Sequence, residues 1–192
     1  RVIKRILNLL CSFVGVIVLS PFFLIISLLI KVTSKGPVFF VHERVGLNGK
    51  KFKLIKFRTM VNNAEEMIAS FSPEQKKEWE ENYKLKDDPR ITKIGKFLRR
   101  TSLDELPQLI NILKGDMSIV GPRPVVDEEL NWYGDKKDKL LSVKPGLTGW
   151  WAVNGRSNVP YPERCDLELY YVDHISFALD VKIILKTLGA II

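Results

Sequence analysis

The sequence predicts an α+β fold, mostly helical, built on an N-terminal membrane segment. Three observations predict it. Ile6 to Ile30 form a run of 25 residues without a charged side chain, Asn48-Gly49 sits between two short extended runs, and most of the remaining chain carries polar or amphipathic helical patterns.

The apolar run, ILNLLCSFVGVIVLSPFFLIISLLI, would be roughly 37 Å long as a straight helix at about 1.5 Å per residue, enough for a bilayer core of about 30 Å. A single spanning helix satisfies that length. Two features favour a segment that turns back. Ser20-Pro21 lies just past the middle of the run; proline has no N–H and its ring crowds the carbonyl four residues back, here Ile17, so a bend or break is expected. Both flanks are basic, with Arg1, Lys4 and Arg5 before and Lys31 and Lys35 after. The positive-inside tendency would place both ends on the cytoplasmic side. Residue types alone leave spanning and re-entry open. No A-x-A-like site follows the run, which argues against a cleaved signal peptide. Asn8, Ser12, Ser20 and Ser27 are expected either to satisfy backbone groups freed at the bend or to pack against other helices.

After Gly36-Pro37 the pattern becomes extended: Val38–Val41 and Lys51–Phe57 flank Asn48-Gly49, a strong hairpin signal. Residues 62 to 86 read as two polar helices, the second starting at Ser72-Pro73. Asp88-Pro89 breaks the pattern, ITKIGKFLRR reads as a short basic amphipathic helix, and Ser102 is expected to open another helix to about Leu113. Gly121-Pro122-Arg123-Pro124 makes a stiff turn, Lys144-Pro145-Gly146 and Asn154-Gly155 punctuate an aromatic-rich loop, and the chain is helical again from about Pro162 to Ile192.

Thirty Lys and Arg against 22 Asp and Glu leave a net charge of +8, which favours anionic partners. Cys11 and Cys165 do not form a disulfide framework, and two histidines without Cys or His at ligand spacing argue against a structural zinc site. Neither a G-x-x-x-x-G-K-[ST] loop nor a G-x-G-x-x-G is present, so any nucleotide must be held in another way.

The motif of chemical interest is Thr101-Ser102-Leu103-Asp104-Glu105-Leu106-Pro107. Its ordinary reading is structural: Ser102 with Glu105 matches a capping box, and acidic residues suit a first helical turn. The neighbourhood adds chemistry. Arg99 and Arg100 precede the pair, a Gly-Pro-Arg-Pro turn follows, and Lys53, Lys56 and Arg58 lie on the second extended run. Arginines offer forked donors to phosphate oxygens, and a carboxylate is the hard ligand magnesium prefers. Adjacent helical residues do not face one another, so Asp104 and Glu105 are expected to act as one nucleophile and one metal ligand.

The chain resembles the monotopic phosphoglycosyl transferases, bacterial sugar transferases that begin capsule, O-antigen (lipopolysaccharide) and exopolysaccharide assembly. The resemblance rests on Ser20-Pro21 in the apolar helix, KFRTM from Lys56, the stretch Asp88 to Pro124, KPGLTGWWAVNGR from Lys144 and LYYV from Leu169. EWEENYKLKDDPRIT is most similar to members that act on undecaprenyl phosphate with galactose or glucose. The resemblance implies a re-entrant helix broken at Ser20 and Pro21 over residues 1–35. It implies a catalytic domain over residues 36–192, with interfacial amphipathic helices, on the cytoplasmic face of the inner membrane.

The same resemblance implies that Asp104 attacks the β-phosphate of a UDP-sugar, that UMP leaves, and that polyprenyl phosphate then takes the phosphosugar. Glu105 would bind Mg2+. Arg99 and Arg123 match basic positions of the family's motifs and are the foremost phosphate contacts; Lys56, Arg58, Arg90 and Arg156 are further candidates. Membrane lipids are the expected surroundings, with room for a homodimer. Two departures stand out. Trp151 replaces a more common Gln, and the N-terminal transmembrane bundle of many relatives is not seen, as expected for a small-form member or a trimmed chain. The competing readings are a non-enzymatic membrane-surface protein that binds anionic lipid and a nucleic-acid binder. The long apolar run disfavours the second.

Overall fold

The computed structural model describes residues 2–82, 85–155 and 159–191, so Arg156 lies outside the described residues. Helix α1 spans Val2–Thr33 and stays helical through Pro21 instead of breaking there. The carbonyl of Ile17 would accept from residue 21 in an ordinary helix; here the Ser20 hydroxyl donates to it at 2.8 Å. Ser20 thus serves the carbonyl that Pro21 leaves without a helical N–H. Helix α1 is long and apolar enough to cross a membrane. Phe13, Val18, Leu24, Leu28 and Val32 along it remain exposed, a surface suited to lipid rather than water.

By contacts the chain forms two compact units, one made of Arg1–Ser20, Val41–Ile55 and Glu105–Ile192, the other of Pro21–Phe40 and Lys56–Asp104. The expected hairpin is present as β1 (Phe39–Val45) and β2 (Lys51–Phe57). Its turn places Asn48 and Gly49 at φ 56° and 76°, the left-handed region that an Asn-Gly pair tolerates.

In the first unit, α4 (Gln108–Lys114) packs Leu109 and Ile112 with Phe52, Leu54 and Met117. Its C-terminal carbonyls are capped by α1: Arg5 donates to Ile112 O at 2.6 Å and to Leu113 O at 3.0 Å. Asn8 is buried and pairs with Ser118 Oγ at 2.9 Å and Ile119 N at 3.3 Å, a packing role. Asn111 accepts from Ile55 N at 3.1 Å and donates to Lys53 O at 2.7 Å, tying α4 to β2.

A second strand pair, β3 (Ser118–Val120) and β4 (Gly146–Thr148), runs parallel with Ser118 opposite Gly146 and Val120 opposite Thr148. Three-residue strands carry no legible period, and the sequence did not predict them. Between them lie α5 (Asp127–Leu130) and α6 (Lys137–Leu141). The close approach depends on glycine: a Cβ on Gly146 would stand 2.1 Å from Gly121 N, and one on Gly121 would stand 2.5 Å from Lys144 O.

The chain continues through α7 (Trp150–Val153), α8 (Glu163–Asp173) and α9 (Phe177–Ile191). The single C-terminal helical stretch expected from sequence is two helices. Ser176 Oγ accepts from Leu179 N at 3.2 Å and starts the second, a capping signal overridden in a pattern reading by the apolar residues on both sides.

In the second unit, Ile26, Ile30, Phe57 and Leu98 form the core. Helix α2 (Pro73–Asn82) opens as expected at Ser72, whose N–H donates to Gln75 Oε1 at 3.0 Å while its hydroxyl accepts from Gln75 N at 3.2 Å. The first of the two expected polar helices is instead a 3-10 turn, Glu66–Ser70. Helix α3 (Lys93–Thr101) is capped by Thr92, whose hydroxyl accepts from Gly95 N at 3.0 Å.

Gly95 rests on the end of the preceding extended segment, and a Cβ there would stand 2.0 Å from Thr59 O. Gly95→Ala should therefore cost about 2 kcal/mol or more despite alanine's better helix propensity. Denaturant unfolding in detergent checks this; a variant as stable as wild type would show that α3 does not need the contact.

Candidate functional site

Asp104 is the last residue of a segment of the second unit, and Glu105 is the first residue of a segment of the first. Their local structure differs from the sequence expectation. Ser102 does not open a helix as an extended N-cap. It has φ 57° and closes α3 as a left-handed cap, its N–H donating to Arg99 O at 3.3 Å. Leu103–Glu105 then form one 3-10 turn, and α4 starts only after Pro107. Proline disfavours helix at the residue before it and has no N–H to contribute, so the expected long helix is divided here.

In the second unit Asp104 is only 8% exposed. Its electrostatic partner is Arg99, whose Nε donates to Thr59 Oγ1 at 2.9 Å. Arg99 keeps much of its overall surface, yet its guanidinium head is crowded enough that desolvation pulls it below its ordinary value, while Asp104 and then Asp88 pull it back. This places a fixed cation beside the predicted nucleophile.

Arg90 and Arg58, in the same unit, are engaged by other partners. Arg90 is 4% exposed and grips Asp88 with two side-chain hydrogen bonds, Nε to Oδ1 at 2.8 Å and Nη2 to Oδ2 at 2.7 Å. The Arg90 guanidinium also lies 4.4 Å from the Trp79 ring centre. Burial pushes the Asp88 carboxyl up, but the hydrogen bonds from Arg90 together with the charges of Arg90 and Arg99 hold it below its ordinary value. Arg58 is buried and donates to Ser34 O at 2.9 Å and to Lys35 O, carbonyls just past the end of α1. Lys56 is half-buried on β2.

In the first unit Glu105 is half-buried and shares an electrostatic field with Arg44. Arg123 reaches from the Gly-Pro-Arg-Pro turn to Glu129, Nη1 to Oε1 at 2.7 Å. Its own N–H donates to Glu168 Oε2 at 2.8 Å. Burial opposes the charge on Arg123, but Glu129, Tyr161 and Glu168 together raise the guanidinium above its ordinary value. Glu129 is pushed up by burial and pulled down further by Arg123, ending below its ordinary value.

Arg44, Glu129 and Glu168 escaped sequence reasoning. Asp127, Glu128 and Glu129 are alike in type, and nothing in their order tells which one turns back toward Arg123. Glu168 is one of four acidic residues on α8, with Glu163, Asp166 and Asp173, and nothing in their order marks it as the buried one.

Glu168 is 1% exposed, and its Oε1 has no hydrogen-bond partner among the described residues. Burial pushes its carboxyl up to about 8, against the pull of the Arg123 N–H and the Arg123 and Arg164 charges. The folded chain thus holds a proton that the unfolded chain releases near the ordinary value of 4.5, and stability falls as pH rises from there to about 8. Glu168→Gln should flatten this slope and gain on wild type by pH 8, by on the order of a few kcal/mol. Melting curves across that range check it; parallel slopes for the two proteins would show that Glu168 is not the group responsible.

Comparison with known proteins bears on this arrangement. A family model described as bacterial sugar transferase matches residues 1–192. The chain is 44% identical to the exopolysaccharide production protein ExoY of Sinorhizobium fredii, over 98% of this chain and 84% of that protein. It is 48% identical to an undecaprenyl-phosphate galactose phosphotransferase of Salmonella typhimurium, over 97% of this chain and 40% of that one. It is also 43% identical to a UDP-galactose-lipid carrier transferase of Erwinia amylovora, over 100% of this chain and 41% of the relative. The chain thus spans most of one such relative and about four-tenths of the other two.

Proposed function

The chain belongs to the bacterial sugar transferase family, and from that premise we propose that it moves a hexose 1-phosphate from a UDP-sugar to undecaprenyl or a similar polyprenyl phosphate. The observation that carries this reading is the Asp104 carboxylate, 8% exposed and set beside Arg99, within the motif TSLDELP. In the first step an oxygen of Asp104 bonds to the β-phosphorus of the donor. The bond from that phosphorus to the bridging oxygen breaks, and UMP leaves with the oxygen. In the second step a phosphate oxygen of the polyprenyl acceptor bonds to the same phosphorus and Asp104 departs as a carboxylate. The product is a polyprenyl diphosphate sugar, the first membrane-bound intermediate of a capsule, O-antigen or exopolysaccharide.

Arg99 and Arg123 are the phosphate-binding residues in this scheme, each a fork suited to phosphate oxygens. A covalent intermediate lets a water-soluble donor and a lipid-borne acceptor take turns on Asp104. The exposed apolar surface of α1 supports membrane residence. The return of the segment to the cytoplasmic face rests on the family resemblance and on the basic flanks at Arg1, Lys4, Arg5, Lys31 and Lys35, not on a break in α1.

The donor set suits magnesium. Among the described residues no three His, Cys, Asp or Glu side chains gather as an ion cage, and magnesium is usually held by one or two carboxylates with phosphate and water completing its shell. Glu105 is the proposed protein ligand, and the ion would supply neutralisation of the diphosphate charge.

Incubation with radiolabelled UDP-galactose or UDP-glucose and magnesium, without lipid, should leave label bound to the protein. Asp104→Asn should abolish that label and lower transfer by about a thousandfold or more. Label retained by the variant would reject Asp104 as the nucleophile. Topology is tested separately: a tag before Ile6 should be reachable from the cytoplasmic side, and one reachable only from outside the cell would remove the re-entrant arrangement.

A further inference from the structure

Arg44 occupies an unusual setting in the first unit. It lies on β1 with its side chain 16% exposed, and its Nη1 contacts Glu129 Oε2 at 3.3 Å and Pro124 O at 3.4 Å. Both distances are at the long end for a hydrogen bond. Its Nε is buried without a partner among the described residues. Desolvation and then repulsion by Arg123 pull the Arg44 guanidinium below its ordinary value, and Glu129, Tyr161 and Glu105 pull it back.

Glu129 stands between the two arginines and is itself fixed by the main chain. Its Oε1 accepts from Arg123 at 2.7 Å, while its Oε2 accepts from Val126 N at 3.0 Å. One carboxylate held by a backbone N–H therefore serves two mutually repelling guanidiniums. Arg123 takes the short contact and Arg44 the long one, so the donor fork of Arg44 is underused. Burying a second like charge opposes folding unless something of opposite sign joins it. A dianionic group would relieve the repulsion and occupy the underused donors, and arginine forks match phosphate oxygens.

We propose that Arg44 is a second phosphate-binding residue for the diphosphate of the nucleotide-sugar donor, and that Glu129 is the positioning residue that aims both Arg44 and Arg123. The inference rests on the transferase reading above. It specifies recognition of a diphosphate over a monophosphate, a distinction that neither the motif TSLDELP nor the turn bearing Arg123 makes alone.

The test compares UDP with UMP by titration calorimetry on the detergent-solubilised full chain, using wild type, Arg44→Lys, Glu129→Gln and Glu129→Asp. Lysine keeps the charge and length of Arg44 but loses the fork. Arg44→Lys and Glu129→Gln should each weaken UDP about tenfold and UMP less than about threefold, with Glu129→Asp between wild type and Glu129→Gln. A residue that only supports the fold would move both ligands alike along with the melting temperature. Equal weakening of UDP and UMP, or none, overturns the proposal. Wild-type transfer from a panel of UDP-sugars is measured in parallel. Absence of transfer from every donor rejects the transferase reading, whereas transfer by wild type with an unchanged UDP-to-UMP ratio in the variants rejects this inference alone.

Discussion

Holding guanidinium charge partly out of water is the constraint on which each half of the molecule is organised. A desolvated arginine must find carboxylates or carbonyls, and the partner it finds decides what it can do. Arg90 is saturated by Asp88 and covered by Trp79. Arg58 is consumed by the carbonyls beyond α1. Arg99 is braced by a neutral hydroxyl, Thr59 Oγ1, and feels the charge of Asp104. Arg123 has Glu129, which must also answer to Arg44. Residues of the same type thus differ in how fully the fold satisfies their donors.

The positions of these arginines depend in turn on close backbone contacts. Gly121 and Gly146 let the turn bearing Arg123 lie against the loop that begins at Lys144-Pro145. Gly95 lets α3, and with it Arg99, approach Thr59. In each case a side chain as small as a methyl would push the charged residue away from its partner. Ser102 belongs to the same class of constraint, because its left-handed conformation ends α3 and permits the 3-10 turn that carries Asp104. Such conformations are uncommon for non-glycine residues and are seen where surrounding structure enforces them.

The long apolar helix α1 follows a different logic, since in apolar surroundings every backbone group must be satisfied locally. Ser20, Ser27 and Thr33 each donate a hydroxyl to a carbonyl of their own helix, at Ile17, Phe23 and Leu29. The first of these serves the carbonyl that Pro21 cannot reach. Asn8 instead turns into the first unit and binds Ser118 and Ile119.

Features that depend on near neighbours in the chain were legible in the sequence: the apolar run, the Asn48-Gly49 hairpin, the Ser72-Pro73 helix start, the short basic helix before Thr101, and the acidic pair at 104 and 105. Each is a matter of local propensity or period, which composition over a few residues determines. Only the tertiary structure decided the left-handed turn at Ser102, the three-residue parallel strands and the division of labour among the arginines. A long, flexible side chain takes its role from groups tens of residues away, such as Glu129 for Arg44 or Thr59 for Arg99. Its own residue type carries a charge and a reach, but no direction.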